Sequence, residues 1–138
     1  MAEQPEIETL RRDLDREIGG KRIKTVEVPG SGAIPRHSSK KQFVGLLEGT
    51  KVGSVVRRDL LLVAKRDSGD ALVIDMSGGG HLHRGAAKEA VDKATKVVVT
   101  FTQGGQLRAV DSSGAMELFV VPFDGLVEAV PALGELGV

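Results

Sequence analysis

The chain has 138 residues, 41% of them hydrophobic and spread along its whole length, enough to bury one compact core. Nineteen basic residues balance nineteen acidic ones, a poor electrostatic footprint for a protein that must hold a polyanion unaided. There is no cysteine, which excludes disulfides and cysteine-ligated zinc or iron–sulfur sites in this chain, and no cofactor is expected. No run reaches the roughly 18 to 20 apolar residues of a membrane span, and the charged opening MAEQPEIETLRRDLDRE is unlike a signal peptide. A cytoplasmic location without a membrane partner is expected. Four Phe and no Trp or Tyr leave few candidates for stacking on exposed bases, so single-strand binding is not favoured. Charge is uneven along the chain: residues 1–66 hold 14 Lys or Arg against 9 Asp or Glu, and residues 67–138 hold 5 against 10. Either a basic face forms, or the two halves interleave and the charges scatter over a solvated surface.

Taken in order, Pro5 suits a first helical turn, and Ile7, Leu10, Leu14 and Ile18 follow as one apolar stripe ended by Gly19-Gly20, predicting a helix over about residues 5–18. KRIKTVEV reads as a short strand and PGSGAIPRHSS as a loop. KKQFVGLL then reads as a two-turn helix ending near Gly49. From Lys51 the pattern turns to β. KVGSVVRRD, LLLVAKR and ALVIDMS are rich in branched apolar residues, with the turn DSGD between the last two. VVVTFT and QLRAV flank the turn QGGQ, MELFVV adds a last strand, and VEAVPALGELGV reads as a short helix broken by Pro131. The expected fold is α+β, a β-sandwich of short antiparallel strands with an N-terminal helix and flanking short helices, forming a single domain over residues 1–138.

SGGGHLHR places His81 and His83 two apart, on one face if they lie in a strand; no third metal ligand is apparent nearby, so a structural or solvent-exposed role is expected. The glycines at 78–80 match no phosphate-binding loop and read as a tight turn. Arg57 and Arg58, adjacent in a strand, point to opposite faces, so only one can reach a given phosphate.

The opening AEQPEIETLRRDL resembles the start of the formamidopyrimidine-DNA glycosylase and endonuclease VIII family, which reads Pro-Glu-Leu-Pro-Glu-Val-Glu-Thr after the initiator Met; Glu3, Pro5, Glu6, Glu8 and Thr9 match in register. GKRI at 20–23, Met76 to Gly78, the stretch KATKVVVTFTQGGQLRAVD and the closing PALGELG extend the resemblance over nearly the whole chain, as that family's N-terminal domain only. The family attacks the sugar carbon bearing a damaged base with a free N-terminal amine, forming a Schiff base, while a glutamate handles protons. The resemblance therefore implies a vestigial catalytic set of Ala2, where relatives usually carry proline, with Glu3 and Glu6, and a DNA-contacting set of Met76, Arg57 and Arg58. Removal of Met1 would still leave a primary amine on Ala2, with an unperturbed pKa of about 8. Structurally, Ala2 and Glu3 also read as a helix lead-in with an acid near the positive helix end.

Several family features are replaced. Leu60 stands where relatives carry a lysine that touches the phosphate beside the lesion, and a leucine cannot neutralise a phosphate. Where relatives read Asp-Pro-Arg-Arg-Phe-Gly, the loop that fills the hole left by the flipped nucleotide, this chain reads Asp111, Ser112, Ser113, Gly114, Ala115, Met116. Of three void-filling residues only Met76 remains, and a lone Met also reads as core. The helix-two-turn-helix and four-cysteine zinc finger of the family are expected to be absent. Together these departures predict a degenerate homologue without glycosylase activity, a pseudoenzyme acting as a protein-interaction module linked to base excision repair, with weak or no duplex binding alone. The partner would be a repair protein or a second copy of the chain. The alternative is a weak abasic-site lyase or glycosylase using the Ala2 amine and Glu3.

Overall fold

The computed structural model describes residues 4–58, 61–76, 80–112 and 116–122. The elements in order are α1 (Gln4–Ile18), β1 (Ile23–Glu27), a single 3-10 turn at Ser31–Ala33, α2 (Lys40–Leu47), β2 (Val52–Arg58), β3 (Leu61–Arg66), β4 (Asp70–Asp75), β5 (His81–Gly85), β6 (Thr95–Phe101), β7 (Gln106–Val110) and β8 (Glu117–Pro122). Two four-stranded antiparallel sheets result, ordered β1-β6-β7-β5 and β2-β3-β4-β8. The expected α+β sandwich with an N-terminal helix is the observed architecture. The helix expected in the segment from Val127 onward lies outside the described residues.

The main core lies between the sheets. Leu62, Ala64, Leu72, Ile74, Leu118 and Val120 face it from one side, and Val97, Val99, Leu107 and Ala109 from the other, in the alternation that one buried face of each strand dictates. The stripe on α1 packs into this core: Ile7, Leu14 and Ile18 are buried and Leu10 is partly buried against them. Each such side chain contributes about 1.5–3 kcal/mol by leaving water. α1 ends where Gly20 adopts φ 83°, a left-handed conformation that glycine takes without steric cost. Ser39 begins α2, its hydroxyl accepting from Gln42 N–H at 3.1 Å.

Helices and side chains also cap three of the four outer strands, β2, β1 and β8. Asp15 Oδ1 accepts from Val55 N–H at 2.8 Å and Arg11 Nη1 donates to Val55 C=O at 3.3 Å, so α1 occupies the outer edge of β2. Glu48 Oε2 accepts from Val26 N–H of β1 at 3.0 Å. His37 Nε2 accepts from Val120 N–H of β8 at 3.0 Å, and its Nδ1, 2.6 Å from Gln42 Oε1, carries the proton in that arrangement.

Strand β5 is the one strand missing from the sequence reading, which treated a strand at His81–His83 only as a condition. Its burial explains why: in HLHRG only Leu82 is buried, leaving no run of branched apolar residues to announce it. The uneven charge resolves towards interleaving, since Arg36 pairs with Glu117 at 2.8 Å and Arg22 with Asp67 at 3.9 Å, each bridge joining the basic half to the acidic half. No helix among the described residues is long and apolar enough to cross a membrane.

Candidate functional site

One end of the sandwich gathers Arg57, Met76 and Asp111 from the residues singled out above. The registers Arg58↔Leu61, Leu61↔Asp75 and Asp75↔Glu117 put the last residue of β2, the first of β3, the last of β4 and the first of β8 side by side. His81↔Val110 brings the start of β5 and the end of β7 together, and Gly80 joins the two sheets there. Gly80 has φ 79°, and a Cβ on it would lie 2.7 Å from Met116 Cε and 2.8 Å from Val110 O, so no larger residue fits. The β2–β3, β4–β5 and β7–β8 connections therefore meet at this end. α1 points its N-terminal half the same way, because Glu8 reaches Arg57 of β2.

Glu8 is the electrostatic hub. Its carboxylate accepts from Arg11 Nη2 at 2.9 Å, from Arg12 Nε at 3.2 Å and from Arg57 Nε at 3.2 Å. The Arg11 hydrogen bond, with the charge beside it and the bonds from Arg12 and Arg57, holds the Glu8 carboxyl down to about 2 against a partial opposing effect of burial. A carboxylate with a lowered pKa stabilises the fold above its unfolded value and loses that contribution as pH falls. The stability gap between the unmodified chain and Glu8→Gln should therefore be full above about pH 5 and close progressively between about pH 4.5 and 2, as followed by urea unfolding. A gap that stays constant over that window would contradict the role.

Arg57, one of the three expected DNA-contacting residues, is half-buried and ion-paired to Glu8, tying α1 to β2. Met76 is 1% exposed and belongs to the inter-sheet core, as does Met116. A side chain so buried reaches a nucleic acid only by leaving that core. Asp111 is buried too. Its Oδ2 accepts from Met116 N–H at 2.5 Å and its own N–H donates to Ala94 C=O at 3.0 Å, so the carboxylate ties both ends of the β7–β8 connection. The fold thus brings Arg57, Met76, Asp111 and Met116 to one end. Ala2, Glu3 and Leu60 lie outside the described residues, as do the side chains of Glu6 and Arg58.

On β5, His81 and His83 both face outward, as their spacing implies, with His83 Nε2 2.5 Å from Glu89 Oε2. Among the described residues no group of three or more His, Asp or Glu is placed to hold a metal ion. Sequence reasoning missed Arg108. Its side chain is buried in β7 and donates to Gln106 Oε1 at 3.0 Å and to the carbonyls of Glu89 at 2.9 Å, Ala90 at 3.0 Å and Ala87 at 3.3 Å, gripping the segment between β5 and β6. The available signal was a charged residue inside an otherwise apolar strand, QLRAV.

Residues 1–116 match the formamidopyrimidine-DNA glycosylase N-terminal domain. The chain belongs to that family. It is 37% identical over 122 residues to a formamidopyrimidine-DNA glycosylase of Bacillus subtilis, covering 86% of this chain and 44% of the relative. It is 40% identical over 115 residues to one of Salinispora arenicola, covering 80% and 39%. The chain thus spans less than half the length of these curated relatives. The fold matches that of Lactococcus lactis Fpg in complex with FAPY-dG-containing DNA, with a TM-score of 0.85 at 21% identity over 92% of this chain and 47% of that one.

Proposed function

We propose that this member of the family works in DNA repair without excising bases itself, as a degenerate glycosylase domain that engages another protein. The observation that supports it is the β7–β8 connection. Its ends are fixed by Asp111, which turns inward to bond Met116 N–H, and between them the sequence offers only Ser112, Ser113, Gly114 and Ala115. Extruding a base from a duplex costs a few kcal/mol, which flipping proteins offset by inserting bulky or cationic side chains and gripping phosphates. None of these four residues is aromatic or cationic, and Leu60 supplies no charge at the lysine position. With Arg57 engaged by Glu8 and Met76 in the core, two of the three expected DNA contacts already serve the fold.

The test is incubation of the chain with duplex DNA carrying 8-oxoguanine, at high protein concentration. The base should remain in place; its excision would overturn the proposal. Duplex affinity at physiological salt should be no tighter than the non-specific range of about 10⁻⁴ to 10⁻⁶ M, measured by anisotropy, because the net charge is zero. Tight, salt-resistant binding to a lesion duplex would contradict it. A second reading, a weak abasic-site lyase, keeps its footing on Ala2 and Glu3, the part of the nucleophile chemistry that the sequence retains.

A further inference from the structure

The outer face of the sheet β1-β6-β7-β5 carries a small polar cleft. The registers His81↔Val110 and Thr95↔Val110 set these three residues in one row across β5, β7 and β6, and His83↔Arg108 stands in a neighbouring row of the same face. Ala90 and Asp92, from the segment that Arg108 grips, line the other side. Thr95, Arg108 and Val110 are buried and form the floor, while His81, His83 and Asp92 are exposed and form the rim. The cavity measures about 190 Å³. That is below the roughly 300–1,000 Å³ of pockets that take drug-sized ligands, so an occupant must be small.

Two groups on that floor lack what burial normally requires. Arg108 donates to neutral acceptors, the Gln106 amide oxygen and the carbonyls of Ala87, Glu89 and Ala90, and among the described residues it forms no ion pair. Buried charges are as a rule paired. The Thr95 hydroxyl, on a residue 4% exposed, has no hydrogen-bonding partner among the described residues. An unpaired buried cation and an orphaned donor in one cleft, with two imidazoles at its mouth, call for an anion that accepts hydrogen bonds. Asp92 limits the charge of that anion. Its carboxylate, held by Ala94 N–H at 2.7 Å, stands at the rim and repels a second negative charge. We infer that this cleft binds a small carboxylate of single negative charge, which accepts from the Thr95 hydroxyl and neutralises the Arg108 guanidinium. Because Arg108 is already committed to backbone carbonyls, it attracts the ligand by charge, and Thr95 and His81 supply the directed contacts.

Acetate titrated into the unmodified chain at constant ionic strength, with chloride as the control, tests this by amide NMR. Shifts at His81, His83, Thr95 and Arg108 should saturate with a Kd of roughly 1–10 mM, and chloride should produce none. Arg108 also holds the fold, so the variant of choice is Thr95→Val, which keeps the side-chain shape and removes the donor. It should weaken acetate about 10-fold or more, because a hydrogen bond to a charged group is lost. Without acetate, its Tm should be equal to or above that of the unmodified chain, since an unpaired buried hydroxyl has been removed. Dianionic phosphate should bind at least about 10-fold more weakly than acetate, repelled by Asp92. The inference is overturned if acetate gives no saturable shift up to about 100 mM, if Thr95→Val binds it equally well, or if phosphate binds more tightly. A fall in the Tm of Thr95→Val would also count against it, because the hydroxyl would then already have a partner in the fold.

Discussion

Borohydride trapping on abasic-site DNA should give a covalent adduct, if any forms, only where no base has to be removed, and more of it on single strands than on duplex. The expectation follows from separating two steps. Attack on the sugar carbon needs an uncharged N-terminal amine, which processing before Ala2 would supply; flipping needs the wedge and phosphate grip that Leu60 and Ser112 to Ala115 do not provide. If unstacking costs a few kcal/mol and nothing offsets it, duplex should trap at least 10-fold less than single strand, since each 1.4 kcal/mol is a factor of ten. The yield should rise about 10-fold per pH unit below the amine's pKa, about 8 if unperturbed, and level off above it. Acetylating the α-amine should abolish it. Equal trapping on duplex and single strand would mean that flipping is not the missing step, and an adduct surviving amine blockade would remove Ala2 from the chemistry.

Replacing Arg108 by Met should have the largest effect on stability of any single polar substitution. The guanidinium is buried, with an exposure of 2%, and holds carbonyls of Ala87, Glu89 and Ala90 as well as Gln106 Oε1. Hydrogen bonds to a charged group are worth more than neutral ones, and several converge on this one buried residue. The expected loss is about 2–4 kcal/mol in urea unfolding, with a fall in Tm of roughly 10 °C. The amides of residues 86–94 should exchange faster well before those of β3 and β4 do. A cost below about 0.5 kcal/mol would show that the segment is held by other contacts.

Much of the fold was legible because its signals are local. Ile7, Leu10, Leu14 and Ile18 repeat at helical spacing, and the strands from Val52 to Val121 are dense in branched residues between glycine-containing turns. β5 escaped because a strand held mainly by its neighbour β7 needs only Leu82 to face inward. The family was legible where it is written in residue type, as at the opening through Thr9. The site was not legible where a role depends on long-range pairing. That Arg57 pairs with Glu8, 49 positions away, and that Met76 meets Met116 and Leu118 in one core are facts of tertiary packing that neither segment announces.

The side chains set against the sheet edges bear on how this protein meets others. A strand arriving at β2 would have to displace Asp15 and Arg11 from Val55, at β1 Glu48 from Val26, and at β8 His37 from Val120. Each displacement exposes a polar group that the newcomer must satisfy in turn, so these margins resist templated strand addition and the fibrillar stacking that begins with it. Strand pairing with a partner is thereby disfavoured at β1, β2 and β8, and recognition falls to side-chain surfaces and to β5, the fourth outer strand, which none of these contacts covers.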